Sequence, residues 1–219
     1  MLNYNGVQIS WTGHDGFRLV VNLKKVIYID PFHLTEEQKN KKDADIVLIS
    51  HSHFDHLSIE DLNHVIRKEA IIIAPHECIE KLKEYDATEL IAVKPGDKLS
   101  IGEIPIEIVS AYNTNKKYHP KTDDNVGFVL TINNQRIYHT GDTDHIPEMR
   151  SINPDIALVP VSGTYVMTSD EAAQAVNESI KPKKIAIPMH YGDIVGTRED
   201  AEKFKELVKV CSTEILFRE

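Results

Sequence analysis

The sequence predicts an α/β fold built from two mixed β-sheets with helices outside them. Near both ends of the chain, short and almost fully apolar segments such as IVLIS at 46–50 alternate with helical segments. Such runs are typical of strands buried on both faces. In the middle, apolar segments are separated by two-residue turns, as in β-hairpins. Strands mixed with helices at both ends favour two sheets packed together with the helices outside.

Length and composition indicate one globular domain, which we expect to span residues 1–219. The 219 residues are 41% hydrophobic, and no linker rich in Pro, Gly or Ser divides them. The formal net charge of -9 disfavours general nucleic-acid binding, because that function needs a basic face. Cys78 and Cys211 are too few for a disulfide framework. Without a leader or a membrane-spanning run, we expect a cytoplasmic protein with no membrane span, and a homo-oligomer stays open.

The first half of the chain predicts strands around one capped helix. Ser58 can cap this helix with Asp61 at its third position. Its inward stripe should comprise Ile59, Leu62, Val65 and Ile66. The other elements, in order, are the strands VQISW, FRLVV, KVIYID, IVLIS and AIIIA (70–74), then a short helix after Pro75.

The second half predicts two hairpins and then a return to alternating strands and helices. The hairpins turn at Gly102-Glu103 and at Asn133-Asn134. Capping residues at Thr168 and Thr197 each open a helix. The remaining strands, in order, are IALVP (156–160), KIAIP (184–188) and a closing TEILF.

Histidine or aspartate follows four of the apolar strands directly. Asp30 follows VIYI, the segment His51–His56 follows IVLIS, His139–Thr143 follows RIY, and His190 follows IAIPM. Sites in open α/β sheets form beyond the carboxyl ends of strands, so these residues predict one convergent site.

The spacing within His51–His56 predicts metal binding. Residues two apart in an extended segment point the same way, so His51 and His53 can bind one ion. Asp55 and His56 lie past a bend and can face a second ion. Imidazole and carboxylate suit zinc, with manganese, iron or nickel as alternatives. Crowded surface histidines would repel one another when protonated, so a plain polar loop is disfavoured.

The motif His51-x-His53-x-Asp55-His56, with Gly141-Asp142-Thr143 and His190, resembles the metallo-β-lactamase superfamily. Thr12-Gly13-His14, His-Thr-Gly-Asp-Thr and Ile-Pro-Met-His-Tyr resemble small cytoplasmic hydrolases related to L-ascorbate-6-phosphate lactonase. The resemblance implies a four-layer αβ/βα sandwich with a binuclear metal site. It also implies the ligands: His51 and His53 at site 1, Asp55, His56 and His190 at site 2, and Asp142 bridging both ions.

One departure from that pattern concerns the third histidine of site 1. The superfamily usually supplies it just after the strand matching IEIVS, where this chain reads Ala111-Tyr112-Asn113-Thr114. The next histidine, His119, could be the missing ligand, a substrate contact or an ordinary loop residue, and one ion could suffice. Neighbouring Lys116, Lys117 and Lys121 could hold a phosphate or carboxylate, although lysine clusters are usually solvated.

Two further residues near the motif each have more than one possible role. Asp30 either orients a ligand histidine or is a turn carboxylate before proline. His14 is expected to make a structural hydrogen bond rather than to bind metal.

The motif and the resemblance together predict a metal-dependent hydrolase that uses a metal-bound hydroxide. The resemblance implies an ester, lactone or phosphodiester of a small anionic substrate. Asp55 would orient that hydroxide and transfer its proton to the leaving group, and His119 is the other candidate catalytic residue. A nuclease or RNA-processing phosphodiesterase of the same superfamily is one alternative. A diiron oxygen-reducing enzyme is another, although that branch replaces the motif histidine at position 53 by glutamate. A non-catalytic metal-binding or ligand-sensing domain is the third.

Overall fold

The chain folds into two compact units, each containing one seven-stranded mixed sheet. The structure, a computed structural model, describes residues 1–83, 85, 87 and 89–218. The first unit comprises residues 1–93 and the C-terminal residues from Leu216, and the second comprises residues 94–215. The predicted pair of mixed sheets is confirmed. Among the described residues, no helix is long and apolar enough to cross a membrane.

The sheet of the first unit runs in chain order. Its strands are β1 (Leu2–Tyr4), β2 (Val7–Gly13), β3 (Gly16–Val21), β4 (Lys25–Ile29), β5 (Ala44–Leu48), β6 (Ile66–Pro75) and β7 (Glu89–Val93). The first four strands pair antiparallel, and β4 to β7 pair in parallel. Its helices are α1 (Ile59–Val65) and α2 (Ile79–Leu82).

The second unit repeats this order of strands. Its strands are β8 (Lys98–Ile101), β9 (Ile104–Ser110), β10 (Val126–Ile132), β11 (Gln135–His139), β12 (Ile156–Pro160), β13 (Ile185–Met189) and β14 (Ser212–Thr213). Strands β8 to β11 pair antiparallel, and β11 to β14 pair in parallel. Helix α3 (Ser169–Ala175) continues into a π-helical turn, and α4 is Arg198–Leu207.

This topology decides where polar side chains gather in each unit. Parallel neighbours end at the same edge of their sheet. In the first unit, the residues after β4 and β5 therefore meet, and in the second unit those after β11, β12 and β13 meet. These segments include the histidine and aspartate positions singled out in the sequence.

Helix starts follow the predicted caps. The Ser58 hydroxyl accepts a hydrogen bond from the Asp61 backbone N–H at 3.2 Å. A reciprocal capping box joins Thr168 and Glu171 at the start of α3. At α4, the Thr197 N–H donates to the Asp200 carboxylate at 2.8 Å. These local signals were sufficient because a cap depends on neighbours within one helical turn.

Two predictions about elements are wrong. Ile59, predicted to face inward, is 42% exposed. Helical side chains cover the turn N-terminal to their own residue, and Ile59 opens α1, so it has no such turn beneath it. TEILF does not form a closing strand: pairing with β13 ends at Thr213, and Arg218 forms a bridge with Trp11 in the first unit.

We predict that Asp61→Ala destabilises the first unit by about 2–3 kcal/mol, because it leaves a buried N–H without its acceptor. The Asp61 carboxylate is buried and accepts hydrogen bonds from the backbone N–H groups of His33 (2.9 Å) and Leu34 (3.0 Å). Urea denaturation measures the loss. Glu60→Ala, at the exposed neighbouring position, is the matched control. Equal urea midpoints for the two variants would contradict this account.

Candidate metal centre

The loop after β5 carries a first donor set, defined as His51, His53, Asp55 and His56. Backbone N–H groups of His56 and Leu57 both donate to the His53 carbonyl, at 3.1 and 2.8 Å. The chain therefore bends between the pair His51 and His53 and the pair Asp55 and His56, as the spacing predicted. His51 and His56 are buried, whereas His53 is exposed.

His51 and His53 face each other at short range. The Nε2 atom of His51 lies 3.0 Å from the Nδ1 atom of His53. Two nitrogen ligands of one tetrahedral zinc ion, each about 2.0–2.1 Å from it, would lie roughly 3.3 Å apart. The Ser50 hydroxyl is 2.9 Å from His51 Nδ1 and so contacts the other side of that ring. This pair fits two ligands of one ion.

Asp30, at the end of β4, orients His56. The Nδ1 atom of His56 lies 2.8 Å from Asp30 Oδ2. The same carboxylate accepts hydrogen bonds from the Ser50 hydroxyl at 2.5 Å and the Ser50 N–H at 2.8 Å. An ionised carboxylate can only accept, so Nδ1 of His56 carries the proton, and Nε2 is the nitrogen that can bind a metal ion.

The ring of His14 contacts the carboxylate of Asp55. Its Nε2 atom lies 3.1 Å from Asp55 Oδ2, and the same oxygen lies 4.0 Å from His56 Nε2. The backbone carbonyl of His14 accepts a hydrogen bond from the Trp11 indole at 2.8 Å. His14 thereby fixes the carboxylate of Asp55 beside His56.

The second unit carries a second donor set, defined as His119, Asp142 and His190, all of them buried. Asp142 Oδ2 lies 3.4 Å from His119 Nε2 and 3.2 Å from His190 Nε2. Asp142 follows a tight turn at Gly141, where φ is 64° and an added Cβ would lie 2.6 Å from the Val126 carbonyl oxygen. Only glycine fits this turn, which places Asp142 between the two histidines.

Asn113 brings His119 to this set from the loop after β9. The Asn113 N–H donates to the His119 carbonyl at 2.8 Å, and its amide nitrogen donates to the Tyr165 carbonyl at 2.7 Å. The Nδ1 atom of His119 lies 3.3 Å from that same Tyr165 oxygen. With a mere 3% of its surface exposed, His119 is not an ordinary solvated loop residue.

Ser162 plays the corresponding role for His190. Its hydroxyl lies 2.9 Å from His190 Nδ1, which leaves Nε2 on the Asp142 side. Ser50, Asn113 and Ser162 are the residues that sequence reasoning missed. All three stand just after strands, but serine and asparagine are common there, so the sequence carried no specific signal.

Two of the three loop lysines are engaged by carboxylates. Lys116 forms an ion pair with Asp144, and Lys121 Nζ lies 2.9 Å from Glu148. The hydrogen bond that Lys121 donates to Glu148, together with one that it donates to the Tyr112 hydroxyl oxygen, raises the pKa of Lys121. Lys117 is exposed. Of the three lysines predicted to hold a phosphate or carboxylate, Lys117 is therefore the one that remains a candidate.

Residues 8–190 match the sequence profile of the beta-lactamase superfamily domain. The chain belongs to the metallo-β-lactamase superfamily. Within it, a UPF0173 metal-dependent hydrolase of Thermoplasma acidophilum is 34% identical, covering 97% of this chain and 96% of the relative. A second UPF0173 metal-dependent hydrolase, from Archaeoglobus fulgidus, is 32% identical over 95% of this chain and 94% of the relative. The predicted class, a metal-dependent hydrolase, is confirmed.

Solved structures confirm the predicted metallo-β-lactamase fold class. A Parabacteroides distasonis protein matches with a TM-score of 0.80 at 33% identity, covering 95% of this chain and 92% of that one. Igni18, a metallo hydrolase of Ignicoccus hospitalis, matches with a TM-score of 0.76 at 23% identity, covering 96% and 94%. The second likeness concerns the fold alone. The narrower resemblance to the lactonase branch stays a prediction.

The chemistry of both donor sets fits a divalent metal ion. Each set combines imidazoles with a carboxylate, the ligand types that zinc prefers in catalytic sites. His56, His119 and His190 each have an oxygen atom close to Nδ1. Ligand histidines typically have such partners, which fix the ring and its tautomer.

We predict that Asp30→Asn weakens zinc binding by about 10–100-fold, because the amide cannot accept all three hydrogen bonds that orient His56 and Ser50. Competition against a chromophoric chelator measures the affinity. Asp123→Asn, an exposed aspartate in the second unit, controls for the lost charge. A folded Asp30→Asn protein with wild-type zinc affinity would show that Asp30 has no part in metal binding.

Proposed function

We propose that this superfamily member uses one or two divalent ions, zinc by preference, to hydrolyse an ester, lactone or phosphodiester bond of a small anionic substrate. The observation that carries the proposal is the arrangement of His56, His119 and His190. Each buried ring has an oxygen at Nδ1 and a carboxylate oxygen within 3.2 to 4.0 Å of Nε2. Purely structural histidines have no need of this repeated polarity.

The proposed ligands follow the two donor sets. His51 and His53 would hold one ion, with His119 in place of the third histidine that the superfamily pattern usually supplies and this chain lacks after β9. Asp55, His56 and His190 would hold a second ion, and Asp142 would bridge the two. His119 suits this assignment because its Nε2 atom faces Asp142. If a single ion binds instead, the same residues remain the candidates.

The chain's own residues then handle the proton. When bound, a divalent ion lowers the pKa of water and offsets negative charge that develops on a substrate oxygen. Asp55 is the proposed proton acceptor, since its carboxylate is 13% exposed and is held at 3.1 Å by His14 Nε2. After the water has attacked the substrate, Asp55 would donate the proton that it accepted from the water to the leaving group.

The preference for a small anionic substrate rests on fewer residues than the sequence indicated. Lys117 is exposed two residues before His119 and is the lysine of this loop that could contact a phosphate or carboxylate. The formal charge of -9 still disfavours long nucleic acids as substrates. A cytoplasmic location is part of the proposal, supported by two cysteines that form no disulfide, Cys78 and Cys211.

We predict that the zinc-loaded protein hydrolyses at least one of three small probes: a nitrophenyl ester, a γ-lactone and bis-nitrophenyl phosphate. Asp55→Asn should lower kcat by about 10²–10⁴-fold, as loss of a general base does. Glu60→Asp, a conservative exposed change, should leave kcat unaltered. A fully metallated protein that cleaves none of the probes would favour the non-catalytic alternative. Cleavage of an RNA oligonucleotide alone would favour the nuclease.

A second prediction distinguishes the two roles of His119. If His119 is a ligand, His119→Gln lowers the zinc content per chain or weakens zinc binding by about tenfold or more. Metal analysis after dialysis measures this. His76→Gln, at an exposed histidine, is the matched control. Unchanged zinc content with a raised KM would instead make His119 a substrate contact.

A further inference from the structure

A polar cavity lies in the first unit, on residues that belong to neither donor set. Its volume is about 100 Å³, which is enough for one inorganic anion or a few water molecules. Its lining residues are Ser10, Thr12, Arg18, Glu37, Gln38 and Lys41.

Strand geometry builds the inner wall of this cavity. Ser10 and Thr12 both lie on β2 and both line the cavity, although the pairing of β2 with β3 is irregular between Trp11 and Gly13. Arg18 on β3 is the cross-strand partner of Ser10. The loop after β4 supplies Gln38, which is 3% exposed, and Thr12 is 1% exposed. Polar groups therefore line a site that is largely closed to solvent.

Two buried polar groups at this site lack partners among the residues that the structure describes: Gln38 Nε2 and Thr12 Oγ1. The orientation of the Gln38 amide is fixed, because its Oε1 atom accepts a hydrogen bond from the Thr35 N–H at 2.8 Å. Its NH₂ group must therefore point away from Thr35. A buried donor without an acceptor is costly and rare in folded proteins, so a missing partner is indicated.

Arg18 adds a cationic hydrogen-bond donor, with its charge partly offset by an ion pair with Asp43. Its Nη2 atom lies 2.5 Å from the Asp43 carboxylate, and its Nε donates to the Tyr28 hydroxyl at 3.0 Å. These contacts hold the guanidinium in place beside the cavity. At the rim, Glu37 and Lys41 are both exposed and of opposite charge.

We propose that this cavity binds a small oxyanion of the size of phosphate. The amide NH₂ of Gln38 and the guanidinium of Arg18 are donors, the hydroxyl of Thr12 can donate as well, and the ionised oxygens of a phosphate or carboxylate accept. A phosphate group and a carboxylate share the required chemistry.

Titration calorimetry of the zinc-loaded full chain with inorganic phosphate, and separately with acetate, tests the proposal. Gln38→Glu keeps the acceptor for the Thr35 N–H but replaces the NH₂ group with a negatively charged oxygen. Thr12→Val removes the hydroxyl at constant shape. Each change should raise the dissociation constant of the bound anion by about tenfold. Matched controls are Gln174→Glu and Thr122→Val, both at exposed positions of the second unit.

A crystal structure with phosphate gives the direct result. We expect a tetrahedral anion in contact with Gln38 Nε2 and Thr12 Oγ1. Acetate that binds more tightly than phosphate, and that weakens in the same two variants, would identify the oxyanion as a carboxylate. Wild-type affinity in both variants, or density for water alone in the cavity, would overturn the proposal, because any phosphate bound would then lie elsewhere.

Discussion

The carboxylate of Asp30 connects the sheet of the first unit to its donor set. A buried carboxylate is costly unless it is hydrogen-bonded, and Asp30 meets this requirement with the N–H and hydroxyl of Ser50 and with Nδ1 of His56. The parallel pairing of β4 with β5 brings these groups together, because the Asp30 N–H continues the ladder to the Leu48 carbonyl at 3.0 Å. The register of two strands thus sets the orientation of an imidazole six residues beyond Ser50. Any account of metal binding in this unit depends on that register.

The second unit meets the same constraint with different residues. The Nδ1 atom of His190 contacts the hydroxyl of Ser162, and the Nδ1 atom of His119 contacts the backbone carbonyl of Tyr165. Both rings then present Nε2 to the carboxylate of Asp142. The two units share a strand order, four antiparallel strands followed by parallel ones, so their polar strand ends arise at equivalent points. The two units share a topology, and in both of them buried imidazole nitrogens need hydrogen-bond partners. The residues that supply these partners differ between the units.

The sequence predicted the features that depend on short stretches of chain. Apolar runs located the strands, and caps at Ser58 and Thr168 located helix starts, since both signals lie within a few residues of one another. The motif His51–His56 was visible for the same reason. The partners that hold the rings were not predictable: Ser162 is 28 residues from His190, and such a contact exists only after β12 and β13 have paired. The prediction that Ile59 is buried was wrong because a periodic pattern does not show which residue opens the helix. A residue that opens a helix has no preceding turn for its side chain to cover.

The loop that carries His119 shows how charge can serve structure in place of recognition. Asp144 accepts the Thr114 N–H at 2.7 Å and forms an ion pair with Lys116. This pair is largely buried, with side-chain exposures of 14% for Lys116 and 4% for Asp144. Breaking a buried pair leaves an uncompensated charge, so the pair resists opening. The contacts of Lys116 therefore indicate that it stabilises the conformation of the loop, and they do not indicate a substrate contact. A loop held in one conformation pre-organises His119, and a pre-organised ligand or catalytic group loses less entropy when it binds. Substrate selectivity should then depend more on the shape that the loop imposes than on the number of its lysines.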